Sequence, residues 1–378
     1  MYQMKTFSLR NAGFVLLATV GIIIAFAASP DSEQSDGAIS YSSQIALAEL
    51  NYESNEDSAS SSVGQQVFSG WYQGDLLNII AQQGNDMLEM QEIIANNTRK
   101  PIWNYKTMVY SMIFLGFMSF LVWAHHMFQT GMGQTMSAFF QITTMIISVP
   151  SVVILSGLFI TLWGSRMRFN TPMLFALSFL PMFGIGGLTG LPLGLAPSDI
   201  PLHDTYYVIG HFHYVVAPGT IFAIFAGIYF WFPKITGKKL NEGLGKIHFF
   251  FSLIFINGVF MPLFIQGLAG VSRRLADGGV SYAHAAGVLE WNEFMSVSAW
   301  LLGVAQIPFI INFFMTIFKK TDGIADPNPW QSTTIEWTDT TSPPLGHGNF
   351  ETIPVVHRSA YDYSVEGSPE DFIPQTKK

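Results

Sequence analysis

The run TMVYSMIFLGFMSFLVWAHHMFQTGMGQTMSAFFQITTMIISVPSVVILSGLFITLWGS, residues 107–165, contains no Asp, Glu, Lys or Arg. It lies between Lys106 and Arg166. A helix that crosses the ~30 Å hydrocarbon core of a bilayer needs about 20 mostly apolar residues, so this window holds two spans, with the break near Gly131 to Gly133. Four more charge-free windows follow: between Arg168 and Asp199, Asp204 and Lys234, Lys246 and Arg273, and Glu293 and Lys319. Each accommodates one span. The predicted core therefore has six: 108–129, 136–163, 170–194, 204–232, 246–268 and 294–318.

Composition agrees. Of the 378 residues, 49% are hydrophobic, 15% aromatic and 12% charged, with 33 Phe and a mean hydropathy of +0.33. The charged share is about half that of a soluble globular protein. The net charge of -8 comes from acidic residues clustered outside the spans. Neither cluster is basic, which excludes nucleic acid as a partner. The absence of Cys excludes disulfides, thiolate metal sites and covalent c-type haem attachment within the chain. A metal here must be held by His, carboxylate or backbone oxygen.

The loops set orientation. Arg99, Lys100 and Lys106 precede the first span, and Arg166 and Arg168 follow the second. Lys234, Lys238 and Lys239 follow the fourth, and Lys319 and Lys320 follow the sixth. If the spans alternate, all four clusters share one side, which is cytoplasmic by the positive-inside rule. Arg273 and Arg274 break the pattern, just beyond the fifth span on the outer side. They are either a snorkelling interfacial pair or held there by something anionic.

The expected fold is all-α, a polytopic membrane helix bundle of six core spans plus an N-terminal signal or anchor helix. Residues 1–28 carry Lys5 and Arg10 before an apolar run and look like a signal peptide or anchor. Residues 29–98 carry eleven acidic residues and no basic ones, and are expected to be flexible. Residues 99–320 form the six-span core. Residues 321–378 are a polar cytoplasmic tail, expected to be extended or irregular without a core of its own. An anchor with Lys5 and Arg10 inside would leave residue 29 outside, although Arg99 belongs inside. The anchor inserts backwards, or the segment follows another plan.

Ionisable groups at membrane depth mark function by default. His125 and His126 lie about five residues below the outer end of the first span, or ~7 Å, and His211 about seven residues into the fourth, or ~10 Å. Two histidine pairs on separate helices thus sit at similar depth, as one shared metal site requires. His211 and His213 are ~200° apart around a helix and serve opposite faces; His125 and His126 are ~100° apart and can converge on one ion. Imidazole without thiolate suits Cu, Fe or Zn. The plainer alternative is a set of polar groups that hydrogen-bond helix to helix.

WAHHM at 123–127 and HDTYYVIGHFHYV at 203–215 resemble the signatures of cytochrome c oxidase subunit I, in the haem-copper oxidase superfamily. GLAGVSRR at 267–274 and WFPK at 231–234 agree, and NPW at 328–330 and PPLGHGN at 343–349 resemble bacterial versions of the tail. The resemblance runs from about Thr98 to Lys320 and covers the family's last six helices. It implies that His125 and His126 are two of three copper ligands and that His211 is the axial ligand of a high-spin haem where O2 binds. It also implies that His213 is an axial ligand of a low-spin haem that passes electrons across Phe212. Arg273 and Arg274 would hold haem propionates, with Asp199 joining that network. His203 and Asp204 resemble a magnesium site, and Trp123 would pack beside the metal centre or act as an ordinary interfacial aromatic.

The implied function is part of a terminal respiratory oxidase of the bacterial inner membrane. It would reduce O2 to water with electrons from cytochrome c, using two haems, expected a-type, copper and magnesium, with electron transfer and proton translocation. The implied partners are the N-terminal half of subunit I on another chain, subunit II with a dinuclear copper site, subunit III and membrane lipid. The other half is expected to bring the second low-spin haem histidine, the third copper histidine with its cross-linked tyrosine, and an acidic proton path. One position departs from the family. Where many members carry a proton-relaying lysine four residues after Pro150, this chain has Ile154. Ser151 could hold a water there or bond its own helix. A nitric oxide reductase-like relative and a non-catalytic degenerate scaffold remain the alternatives.

Overall fold

The computed structural model describes residues 90–318, 326–344, 353–362 and 373–377. The expected signal or anchor, most of the acidic segment, and Lys319 and Lys320 lie outside the described residues.

Six helices are long and apolar enough to cross a membrane: Tyr105–Thr130, Gln134–Leu162, Thr171–Leu193, Tyr206–Thr236, Glu242–Leu268 and Trp291–Phe318. They are spans 1 to 6 below. The protein is an all-α, multi-pass membrane bundle, as its charge-free windows require. Span 1 packs along span 2, span 2 touches span 3, and spans 3, 4, 5 and 6 pack in sequence, with span 5 also reaching span 3. Span 5 is central: 67% of its apolar window is buried, against 22% for span 1 and 11% for span 6. Membrane helices pack through small residues that let backbones approach. At Gly267 of span 5, a Cβ would lie 2.0 Å from the Tyr207 backbone nitrogen of span 4.

Three spans depart from straight α-helix. Span 1 ends its α-helical part at Leu121 and continues as a 3₁₀ stretch over Trp123–Thr130, with Met127 at φ −125° and ψ 19°. Span 4 widens into a π turn over Ala217–Ile221. Pro218 there has no N–H to return to the carbonyl four residues back, which opens the helix. Span 6 is interrupted at Gln306, two residues before Pro308.

The basic loops within the described residues meet at one end. Lys100 Nζ donates to Trp163 O at 2.7 Å, and Lys238 Nζ to Ile317 O at 2.7 Å. The tail docks on this end. Trp330 stacks on Phe230 at 5.6 Å and donates its Nε1 proton to Phe230 O at 2.8 Å. Trp337, 1% exposed, stacks on Trp231 at 5.4 Å. Lys234 Nζ donates to Thr341 O at 3.0 Å, and Arg168 Nη1 to Trp330 O at 3.1 Å. The described part of the tail is largely irregular, but it is anchored by buried aromatics that extend the bundle's core.

Residues 90–98, assigned from sequence to the flexible segment, are helical. Ile93 and Ile94 are fully buried, and Asn97 O accepts from Arg168 N at 2.9 Å. The bundle therefore begins earlier than residue 99. The acidic composition of 29–98 hid this, because the apolar residues of this helix sit at its end.

Candidate metal and haem centre

At the opposite end from the basic loops, the 3₁₀ stretch of span 1 presents His125 and His126. Their Nε2 atoms are 3.0 Å apart. The expected separation of ~100° assumed an α-helix, but a 3₁₀ turn sets consecutive residues ~120° apart. The rings converge nevertheless, meeting edge to face with centroids 4.2 Å apart.

The tautomer of His125 follows from its neighbour. Thr144 Oγ1 donates to Phe140 O at 2.6 Å, so the same hydroxyl must accept from His125 Nδ1, 3.1 Å away. The His125 lone pair is then on Nε2, facing His126. Imidazole nitrogens about 2.0–2.1 Å from one ion lie ~3 Å apart when they subtend a right angle. The observed separation fits a copper ion held by both. Among the described residues, no group of three or more His, Cys, Asp or Glu side chains converges on one metal position.

Span 4 is regular α-helix over Tyr206–Val216, so His211 and His213 point to opposite sides. His211 faces span 3, where its Nδ1 donates to Gly186 O at 2.9 Å and lies 3.3 Å from Thr189 Oγ1. A Cβ at Gly190 would meet His211 Cε1 at 2.6 Å, so only glycine leaves room for the ring. His213 faces span 5, stacked on Phe260 with centroids 4.0 Å apart, and its Nδ1 donates to Ile209 O at 2.9 Å. The Phe212 ring centroid is 4.2 Å from that of His213. In both histidines the backbone carbonyl places the lone pair on Nε2, the state that binds haem iron.

The two histidine sets meet along span 3: Thr144, bonded to His125, abuts Gly194, one turn from the Gly190 that abuts His211. Arg273 is fixed by its Nε donating to Asp204 Oδ1 at 2.7 Å and by its backbone N donating to Asp204 O at 2.8 Å. Arg274 follows at φ 70°. His203 Nδ1 is 3.3 Å from Asp199 Oδ2, without hydrogen-bond alignment, and His203 Nε2 is 3.9 Å from Asp204 Oδ2. Asp199 is 3% exposed, and its Oδ2 has no hydrogen-bond partner among the described residues. Burial pushes the Asp199 carboxyl above its ordinary range, and His203 opposes that push. Trp123 is 60% exposed and meets Phe140 edge-on at 5.4 Å.

Sequence reasoning missed the supporting groups Thr144, Gly186, Thr189 and Gly190. The run GIGGLTG at 184–190 was the available signal for a close approach. It also passed over His248. That histidine is fully buried and bonded to Tyr229 OH at 3.2 Å and Gln306 Oε1 at 3.0 Å, a helix-to-helix linker. Ser151 Oγ donates to Ile147 O at 3.2 Å, the own-helix alternative, and Ile154 is fully buried.

Residues 87–301 match the family model for cytochrome c and quinol oxidase polypeptide I. Cytochrome c oxidase subunit 1 of Synechocystis sp. is 42% identical over 73% of this chain and 48% of its own length. The Thermostichus vulcanus protein of the same name is 43% identical over 74% and 49%. Quinol oxidase subunit 1 of Bacillus subtilis is 38% identical over 76% and 43%. The chain spans about half the length of the curated relatives it matches. A heme-copper terminal oxidase dimer solved by cryo-EM shares the fold, with a TM-score of 0.56 and 18% identity, covering 64% of this chain and 47% of that one. With six apolar spans and a family match that covers residues 87–301, the chain belongs to the cytochrome c and quinol oxidase polypeptide I family.

Proposed function

We propose that this chain forms part of a terminal respiratory oxidase of the bacterial inner membrane that reduces O2 to water. The observation that carries the reading is the convergence of His125 and His126, Nε2 to Nε2 at 3.0 Å, with Thr144, the partner of His125, against Gly194, one turn from the Gly190 that abuts His211. In this reading His125 and His126 hold copper, His211 holds one haem iron and His213 another. Bound there, these groups supply the one-electron and oxygen chemistry that no side chain provides.

The chain's own residues do the positioning. Gly186 O and Ile209 O keep the lone pairs of His211 and His213 on Nε2. Thr144 does the same for His125. Phe212 lies between the two span 4 histidines in sequence and against His213 in space, on the proposed electron route. Arg273, oriented by Asp204, and Arg274 hold propionates, for which guanidinium is the matched bidentate donor. Asp199 joins that network through its unsatisfied oxygen. His203 and Asp204 supply two of the six ligands magnesium requires, with water completing the set. Trp123 borders the centre on its open side.

In this reading the remaining ligands come from a second half of subunit I with its own histidines, on another chain, and the two-histidine set and the exposed face of span 1 support it. Subunits II and III complete the assembly. The donor is proposed to be cytochrome c, although a quinol oxidase also stands among the relatives. A nitric oxide reductase-like activity is the second reading, favoured by Ile154, which cannot relay a proton in the position many relatives give to lysine. The test is to purify the chain with its partners and record reduced-minus-oxidised visible spectra, metal content, and O2 and NO turnover. One high-spin and one low-spin haem with O2 turnover are expected. Turnover of NO alone selects the second reading. A purified complex without haem would leave the degenerate scaffold.

A further inference from the structure

At the basic end, Arg168, Asn170, Lys239, Glu242, Lys246 and Trp330 line a cleft of about 350 Å³. It lies where spans 3 and 5 begin and the docked tail crosses them. Its size is within the range of small-ligand sites.

The charges in the cleft do not balance. Three cations face one carboxylate. Glu242 Oε2 is already committed, accepting from Thr171 N at 3.0 Å and Thr171 Oγ1 at 2.9 Å, and its Oε1 is 3.7 Å from Lys239 Nζ. Lys239 Nζ also sits 4.4 Å from the Trp330 ring centroid, which holds it over the cleft wall. The Arg168 guanidinium donates to two neutral acceptors, Trp330 O at 3.1 Å and Gln331 Oε1 at 2.7 Å. Those bonds fix the group in place, and no carboxylate pairs with it among the described residues. Lys246 makes no ion pair among the described residues.

Two positive charges thus remain on a cleft that has an aromatic wall. By the distribution of Lys and Arg this end faces the cytoplasm, where anionic headgroups concentrate. We infer that the cleft binds a phosphate-bearing anion, with the headgroup of an anionic phospholipid of the inner leaflet as its source. The inference does not depend on the redox reading, because none of these residues belongs to the histidine end.

The experiment uses the purified, delipidated complex, titrated with phosphatidylglycerol and followed by native mass spectrometry. Parallel arms use phosphatidylcholine and inorganic phosphate. Lys246 is the residue to change, since it holds no other part of the fold. Each basic residue near a membrane surface contributes about fivefold to anionic lipid affinity. Lys246→Gln is therefore expected to weaken phosphatidylglycerol binding about fivefold, and Lys246→Glu about 25-fold. Lys106→Glu, on the same side but outside the cleft, should leave it unchanged, and phosphatidylcholine should bind weakly. Displacement of phosphatidylglycerol by millimolar inorganic phosphate would keep the site and assign it a soluble source. Equal retention in wild type and Lys246→Glu, equal losses in the Lys106 and Lys246 variants, or no bound phospholipid or phosphate in the wild type would each overturn the inference.

Discussion

The two ends of this bundle are built differently. At the basic end the chain supplies its own closing layer. Trp330 and Trp337 enter between span ends, and Arg168, Lys234 and Lys238 donate into backbone carbonyls of neighbouring segments. At the histidine end the donors are held from one side only. His125 and His126 approach to 3.0 Å, but His126 and Trp123 are exposed and Asp199 Oδ2 lacks a hydrogen-bond partner. Packing that serves stability is finished within the chain, whereas in the proposed reading the ligand set is completed by atoms from elsewhere. Substitutions should therefore separate the two, with stability lost at one end and cofactors at the other.

The largest effect is expected from His126→Ala. It removes one of the two proposed copper donors, in a set with no third among the described residues. Partners one shell beyond a metal already change affinity 10–100-fold, so copper per complex should fall by at least about tenfold, and O2 turnover with it. Unchanged copper on elemental analysis would rule out the pair as ligands. Next is Gly190→Ala, which places a methyl 2.6 Å from His211 Cε1. The ring must swing off Gly186 O. The high-spin band should fall by more than half while the low-spin band of His213 persists. Loss of both bands together would mean that the substitution unfolds the bundle, and would remove the special link to His211.

Trp330→Ala tests the other end. Truncating a buried Trp that stacks and hydrogen-bonds costs about 3–5 kcal/mol. The tail should become cleavable in limited proteolysis and thermal stability should fall, with haem bands per folded complex unchanged. A spectral change comparable to that of Gly190→Ala would show that the two ends are coupled after all.

How much of this was legible follows from what each signal depends on. Membrane spans depend on charge-free length, a property of composition over long windows, and the six observed helices start and stop within a few residues of those windows. The histidine pairs stood out because imidazoles at membrane depth are rare and their spacing on a helix is fixed. What carries them was less visible. The 3₁₀ stretch at His125 has no proline to announce it, and Thr144 and Gly190 matter only because other spans bring them to a histidine. Pro218 and Pro308 sit at the breaks in spans 4 and 6, but Pro150, Pro181 and Pro262 lie inside continuous helices, so proline alone did not mark the breaks. The helix at 90–98 and the docking of the tail were hidden by polar surroundings. Each buries a few residues, Ile93 and Ile94 or Trp330 and Trp337, too few to raise a window average.

The smallest effects discriminate most finely, and they concern two hydroxyls on the same helix. Thr144 and Ser151 both donate to carbonyls of span 2, at Phe140 and Ile147. Only Thr144 then has a second role, accepting from His125 Nδ1. In Thr144→Val the shape is kept and the acceptor is lost. His125 can then rotate or place its proton on Nε2, where it would oppose a metal. Copper affinity should fall about 10–100-fold, equivalent to ~1.4–2.7 kcal/mol, with the fold intact. Ser151→Ala removes a hydroxyl that serves only its own helix, and should change neither copper nor turnover. A drop in turnover for Ser151→Ala with copper retained would instead show a water held there on a proton route past Ile154. Equal effects of the two substitutions on copper would mean that the hydroxyls act through helix bending rather than through the tautomer of His125.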